Sequence, residues 1–384
     1  MNTTTPLNNF INNYLNGGQS YLERVFVLGN VSCDLDSFLS SYLLCVANNF
    51  SKHEINQIYI PIINCPRKEL KYRFDLDYLT KRFSIDTENM NYIDDDFFKR
   101  QIRKKNKAKF ILVDHNRPDL SQRKIINEHN IIGIYDHHKD EGLNIEEKTI
   151  IYPLGSCSSL ILKKFYENNF YLFNFVHPLF AVSAMLNDTE NFDKNLYNKK
   201  WTTFDKNIFD LIIYKNPNYN FTQKFINDFF EKINNEKSNV TKNLSLGIDG
   251  LLRKDKKNFV WSKNFKAGWS SLEIHLDEIL KKFGKKKLFE RIDEKCLNEG
   301  HNIYLIIYND KFLDIKAKSI IIYNYNLPKE KFQILNKNFE TMITKICYKV
   351  EEHYDDDYIK YILNFSISRK HFEPIMRKYF NKLI

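Results

Sequence analysis

Short, nearly continuous apolar runs alternate with helical patterns through the first half of the chain. Val25–Asn30 (VFVLGN), Ile58–Ile63 (IYIPII), Phe110–Asn116 (FILVDHN), Ile131–His138 (IIGIYDHH) and Thr149–Gly155 (TIIYPLG) read as strands. A polar loop and an apolar helix from about Leu35 to Ala47 follow the first, and a helix over Ser158–Tyr166 follows the fifth. Strands that are apolar throughout and separated by helices predict a parallel sheet covered on both faces. Asn191–Asn220, rich in Lys, Asn and Asp without a long period, predicts a boundary region. Phe221–Lys237 predicts a helix that links the two halves or begins the second. From about Asn243 a second α/β mixture follows, with strands in HNIYLIIYND, KSIIIYNYN and YILNFSIS and a helix in SLEIHLDEILKKFG. The expected architecture is α/β in two domains, residues 1–215 and 216–384, with the division between about 200 and 240.

Composition narrows the class. The 384 residues suit two domains at about 150 residues each. Apolar residues at 43% and aromatic residues at 15% supply sizeable cores and exclude wholesale disorder. The formal charge of +10 favours anionic partners, although a biased composition produces the same total. Six cysteines without a CxxC pair fit a reducing compartment. The N-terminus lacks a basic segment followed by an apolar run, and no apolar stretch approaches the roughly 20 residues of a membrane span. A soluble, cytoplasmic protein with no membrane partner is expected, and a monomer.

Candidate chemistry lies just after the strands. Asp34 and Asp36 follow the first, Asp114 and His115 end the third, Asp136, His137 and His138 end the fourth, and Asp188 lies beyond the apolar stretch Leu179–Leu186. In open α/β sheets, ligands bind outside the carboxyl ends of the strands. Mixed Asp and His donors suit divalent ions such as Mn, Mg, Co or Zn. On a turn, Asp34 and Asp36 can send one carboxylate to each of two ions. Asp114 is placed to bridge them, with His137 and Asp188 completing the second. Near the C-terminus Ser368, Arg369, Lys370 and His371 follow a strand-like run, where Arg grips phosphate in bidentate fashion and Lys acts as a point charge. A second basic cluster, Asp249, Arg253, Lys254, Asp255 and Lys257, either lines a cleft or caps and solvates a helix. No GxxxxGK[ST] or GxSxG motif occurs. Cys33 and Cys157 sit near these loops, with packing as their expected role. No compact nucleic-acid-binding motif occurs, so a nucleic-acid partner is not expected.

Together these segments resemble the DHH phosphoesterase superfamily. The resemblance runs through GNVSCDLDS (Gly29–Ser37), LVDHN, YDHHKDEG (Tyr135–Gly142), PLGSCSS (Pro153–Ser159) and LNDTENF (Leu186–Phe192). GIDGLLRKDKKNF, GWSS (Gly268–Ser271) and SRKHFEP (Ser368–Pro374) look like the associated DHHA2 domain. The resemblance implies a parallel-sheet DHH domain with a DHHA2 domain closing over an active-site cleft. It implies Asp34, Asp36, Asp114, His137 and Asp188 as metal ligands, and His115, His138, Arg369 and Lys370 as phosphate contacts. The cofactor it implies is a divalent metal, Mg²⁺ or Mn²⁺, two ions in the active complex.

Pyrophosphatases of the superfamily begin the first motif with a metal-binding His. This chain has Asn30, similar to the exopolyphosphatase and prune branch, and its amide is a substrate contact or a weak substitute for imidazole. His138 is retained, so the best match is to eukaryotic cytosolic exopolyphosphatase. The implied reaction is removal of the terminal phosphate of inorganic polyphosphate by metal-activated water, with Asp114 central and His138 as any general acid. The alternatives are a family II-like pyrophosphatase or short-chain polyphosphatase, a prune-like nucleotide phosphodiesterase, and a non-catalytic interaction protein.

Overall fold

The computed structural model describes residues 6–16, 23–50, 56–103, 108–119, 122–169, 173, 175–216, 218–262, 265–343, 347–352, 358–367 and 369–380. It divides into two compact units, Met1–Lys237 and Ser238–Ile384.

The first unit is built on six strands: β1 (Glu23–Leu28), β2 (Gln57–Ile63), β3 (Asn91–Tyr92), β4 (Lys109–Val113), β5 (Ile131–Asp136) and β6 (Glu147–Ile150). Their order is β3-β2-β1-β4-β5-β6 and every pairing is parallel. Val25–Leu28 of β1 and Phe110–Val113 of β4 are at most 2% exposed, as strands covered on both faces must be. The order reverses between β1 and β4, which makes the space beyond their carboxyl ends the natural place for a ligand. The helix Leu35–Asn49 is buried nearly all round, so its side chains serve the core and the site alike.

One expectation changes here, and two elements appear that the sequence pattern did not assign. The helix Gln223–Lys237 belongs to the first unit, because Ile226, Phe229, Phe230 and Ile233 are buried in that unit's core. The apolar stretch Leu179–Leu186 forms two short helices, Pro178–Ala181 and Ser183–Asp188, broken at Val182. A two-residue edge strand, β3, was too short to leave a period in the sequence.

The second unit carries β7 (Lys256–Ser262), β8 (Phe265–Leu272), β9 (Ile303–Phe312), β10 (Ile315–Asn324), β11 (Cys347–Glu352) and β12 (Tyr358–Asn364), ordered β11-β12-β10-β9-β8-β7. Among the described residues of this unit, only β8 and β9 pair in parallel. Alternation along β9 divides the core: Ile303, Leu305 and Ile307 join one cluster, Tyr304, Ile306 and Tyr308 the other. Ser271 and Leu272 lie in β8, so the following helix begins only at Leu276, capped by the His275 ring accepting from Asp277 N. Among the described residues, no helix is long and apolar enough to cross a membrane.

Candidate metal centre

Beyond β1 the chain turns through Gly29–Asp34 into the helix Leu35–Asn49. Gly29 is demanded by close approach, since a Cβ there would stand 2.6 Å from Ser37 Cβ. Asn30 N donates to Ser37 Oγ at 3.0 Å, and Ser32 N donates to Asn30 Oδ1 at 2.8 Å. Asp34 is exposed and caps the helix, its Oδ1 accepting from Ser37 N at 3.0 Å. Asp36, the second residue of that helix, is 4% exposed and meets the N-terminus of the helix Cys157–Asn169. Its Oδ2 accepts from Cys157 N at 2.7 Å, and its Oδ1 from Ser158 N at 2.8 Å, Ser156 Oγ at 2.7 Å and Ser40 Oγ at 3.2 Å. Burial, and then the charge of Asp114, push the Asp36 carboxyl up to about 6, against the opposing pull of His137.

Asp114 follows β4 in the left-handed region, φ 59°, a conformation that non-glycine residues adopt at a cost. Asn30 Nδ2 and Ser37 Oγ each donate to its Oδ2 at 2.7 Å. Oδ1 is thereby the oxygen turned toward His137, 3.1 Å from Nε2. His137 follows β5 and is 1% exposed. Its Nδ1 lies 3.2 Å from the Leu154 carbonyl, which can only accept, so Nδ1 carries a proton, and in the neutral ring Nε2 presents a lone pair to the carboxylates. Nε2 is also 3.6 Å from Asp36 Oδ2.

Asp136 ends β5 and is wholly buried. It accepts from His138 Nδ1 at 2.7 Å, from His137 N at 2.7 Å and from Asn116 Nδ2 at 2.6 Å. Burial opposes its ionisation, but the charges of His138 and His137 and these hydrogen bonds outweigh burial and hold the carboxyl well below its usual range. Asp136 therefore orients the half-buried His138 as a permanent anion.

The donor set fits a divalent cation. Two ligands about 2.1 Å from one ion stand roughly 3 Å apart when they meet at right angles. The 3.1 and 3.6 Å separations around His137 Nε2 match that spacing. A neutral imidazole lone pair facing two buried carboxylates also needs a positive charge among them. Asp114, Asp136, His137 and His138 further offer ligand atoms all within 4.8 Å of one another. The hydrogen bond behind the His137 ring is the arrangement that aims imidazole at a metal.

The predicted residues divide on this geometry. Asp36, Asp114, His137 and His138 come together. Asn30 orients Asp114 through its amide. His115 lies beside them in sequence, its Nδ1–H donating to Val113 O at 2.9 Å and its Nε2 accepting from Gln122 Nε2 at 3.1 Å. Asp188 closes its short helix, half-buried. Past it, Glu190, Asn191 and Phe192 are all left-handed, tied by Asn191 N to Leu186 O at 2.8 Å and Phe192 N to Thr189 Oγ1 at 3.1 Å. In the second unit the Arg369 fork donates to the Asp255 carbonyl at 2.9 Å and to its carboxylate. Lys370 stands in the first turn of the helix Arg369–Phe380, its side chain outside the described residues, as is Ser368. Lys254 corrects an expectation: it is 7% exposed and donates to Asn243 Oδ1 at 3.0 Å, so it lines no open cleft. The roles of Asp136, Asn116, Ser37 and Ser156 were missed. Each nevertheless sits in a motif of the sequence: Asp136 opens the Asp-His-His run, Asn116 ends LVDHN, Ser37 ends GNVSCDLDS and Ser156 lies in PLGSCSS.

A DHH family, N-terminal domain model matches residues 24–213, and a DHHA2 domain model matches residues 231–379. A Schizosaccharomyces pombe protein named "Putative exopolyphosphatase" is 34% identical over 321 residues, covering 78% of this chain and 76% of that protein. Human "Exopolyphosphatase PRUNE1" is 24% identical over 275 residues, 70% of this chain. The chain spans only 57% of that relative's length. A solved structure described as a Methanococcus jannaschii putative family II inorganic pyrophosphatase superposes with a TM-score of 0.61 at 20% identity, covering 93% of this chain and 99% of that one.

Proposed function

The chain belongs to the DHH family and carries the DHHA2 domain, and on that premise we propose that it is a metal-dependent hydrolase of short phosphoanhydrides, pyrophosphate and short polyphosphates. The observation that carries this reading is the buried set Asp36, Asp114 and His137, whose Nε2 faces both carboxylates. These three would hold a divalent cation, Mg²⁺ or Mn²⁺, and the same reading assigns Asp34 and Asp188 to a second. Bound there, the cation supplies Lewis-acid polarisation of a phosphoryl oxygen and a lowered pKa for water.

The chain's own groups do the rest. Asp36 is braced by the amides of Cys157 and Ser158, which fix its carboxylate before any ligand arrives. Asn30 and Ser37 do the same for Asp114. Asp136 accepts the Nδ1 proton of His138, so Nε2 is the atom that gives or takes a proton at the leaving oxygen. Arg369 and Lys370 are the further phosphate contacts that the family resemblance implies.

Short substrates are favoured over long polymers because the cations that would extend a track for a polyanion are already engaged. Lys254 is buried on Asn243, and Lys256 pairs with Glu299. A long-chain exopolyphosphatase is the second reading, favoured by the name of the 34%-identical relative. The test is phosphate release by metal-free protein from pyrophosphate, tripolyphosphate and long-chain polyphosphate, with Mg²⁺ or Mn²⁺ added and an Asp114→Asn control. Metal-dependent release from the two short substrates, lost in the control, is expected. Faster release from long chains would establish the second reading, and silence on all three substrates would overturn both.

A further inference from the structure

Four consecutive amides, those of Gly155 to Ser158, are shared between two buried carboxylates. Cys157 N and Ser158 N donate to Asp36. Gly155 N donates to Asp205 Oδ2 at 3.0 Å, and Ser156 N to Asp205 Oδ1 at 3.4 Å. The hydroxyls divide in the same way, Ser156 Oγ donating to Asp36 at 2.7 Å and Ser159 Oγ to Asp205 Oδ1 at 2.6 Å. Asp205 is wholly buried and is the third residue of the helix Thr203–Ile213. It completes a capping box there, its Oδ2 accepting from Thr202 N at 2.9 Å. A capping box asks no more of the carboxylate than that bond. The three donors that reach Asp205 from 46 to 50 residues away are beyond what its own helix requires. Gly155 closes the seat from the other side. A Cβ there would stand 2.8 Å from Lys200 O, 2.9 Å from Thr189 Cγ2 and 3.1 Å from Asp205 Cγ, so backbone lies directly against carboxylate.

We propose that Asp205 is a positioning residue for the metal centre, anchoring the Leu154–Ser158 loop and through it aiming both His137 and Asp36. The inference rests on the metal reading above. The link to His137 is a single peptide group. Leu154 O and Gly155 N belong to one rigid plane, whose N–H is held by Asp205 and whose carbonyl faces His137 Nδ1 at 3.2 Å. Rotation of that plane would break both contacts at once. The link to Asp36 runs the other way along the loop. Ser156 N is tied to Asp205, and the next two amides, Cys157 N and Ser158 N, meet the two oxygens of Asp36 at 2.7 and 2.8 Å.

Asp205 thus supports a histidine and a carboxylate that come from different strands of the sheet, through a loop in which backbone groups do the holding. Side chains that orient metal ligands from behind are worth roughly 10- to 100-fold in metal affinity. The same scale applies to Asp205, because without it neither the Leu154 carbonyl nor the Cys157 amide is fixed in direction.

Mn²⁺ is titrated calorimetrically into the metal-free natural chain, Asp205→Ala, Asp205→Asn and Ile212→Val. Amide hydrogen exchange at Cys157 and Ser158 is followed in the same proteins without metal. Ile212, buried in the core from the same helix, is the control for lost stability alone. Asp205→Ala is expected to lower Mn²⁺ affinity by roughly tenfold or more and to speed exchange at both amides. Asp205→Asn keeps an oxygen for Gly155 N and Thr202 N and is expected to recover part of the affinity, while Ile212→Val binds Mn²⁺ as the natural chain does. Should Asp205→Ala not fold, Gly155→Ala, which forces the loop off its seat while leaving the carboxylate in place, is expected to give the same result. Mn²⁺ affinity within twofold of the natural chain in these loop variants, or an equal loss in Ile212→Val, overturns the proposal. If the natural chain binds no Mn²⁺, the metal reading fails and the proposal with it. Exchange at Cys157 and Ser158 tells that outcome from failure of the anchor itself, which would leave both amides as protected in Asp205→Ala as in the natural chain.

Discussion

Without a divalent cation, the candidate centre holds negative charge that the fold does not neutralise, and Asp36 makes the consequence measurable. Its carboxyl is raised from 3.8 to about 6, by burial first and by Asp114 second. A carboxyl raised in the folded state binds its proton more tightly there than in the unfolded chain. Its contribution to stability is therefore present at low pH and lost as pH rises through about 6. At 1.36 kcal/mol per pH unit the full loss is about 3 kcal/mol, of which about 2 kcal/mol falls between pH 4.5 and 7.5. Asp36→Asn removes this dependence while turning an amide toward the Cys157 and Ser158 N–H donors, a cost of roughly 1–3 kcal/mol at either pH. Urea unfolding in EDTA should then show the variant less stable than the natural chain at pH 4.5, with the gap shrinking by about 2 kcal/mol at pH 7.5. Mn²⁺ at a hundred times its Kd should add about 2.7 kcal/mol to the natural chain at pH 7.5 and far less to the variant. A gap that stays constant between the two pH values, or equal Mn²⁺ stabilisation of both proteins, would refute the reasoning.

Two further substitutions separate the units. Asn116→Ala removes the amide that donates to Asp136 at 2.6 Å and to Lys139 O at 3.0 Å, and frees Glu141 N from Asn116 Oδ1. It should cost roughly 1–3 kcal/mol and lower kcat while leaving Mn²⁺ affinity nearly unchanged, because the damage reaches the His138 pair rather than Asp36 or Asp114; steady-state kinetics beside calorimetry checks this. Gly268→Ala would put a Cβ 2.5 Å from the Tyr304 ring and 2.8 Å from His301 Cε1, both buried. A loss of roughly 1–3 kcal/mol should appear as faster amide exchange in residues 238–384, with the first unit untouched.

The elements that build the site were legible because their physics is local. Fully buried parallel strands leave apolar runs that end where the polar ligands begin, so β1, β4 and β5 announced themselves along with Asp36, Asp114, His137 and His138. What stayed hidden depends on partners distant in sequence. Asn30 read as a substrate contact or a weak substitute for imidazole, and the sequence could not show that its amide donates to Asp114, 84 residues away. Ser156 and Ser158 reach Asp36 from a helix 120 residues on, and serines carry no periodicity that would mark them. Lys254 read as a surface cation because charge at a helix end is usually solvated, and the Asn243 side-chain oxygen it donates to helps make its burial tolerable. The helix Gln223–Lys237 is amphipathic in either unit, and sequence alone does not say which core receives its apolar stripe.

The pairing of β1 with β4, Val25 opposite Lys109 and Leu28 opposite Leu112, has a kinetic side. Parallel strands so far apart in sequence must close a long loop before their hydrogen bonds repay it, which makes such contacts late and slow to form. Asp36 and Asp114 hang from the ends of these two strands, so their carboxylates converge only when the central pairing is complete. A nascent or partly folded chain therefore offers a cation no grip. An ion that recognises only the finished arrangement leaves the folding rate alone and acts on the rate of escape, holding the assembled sheet closed for longer.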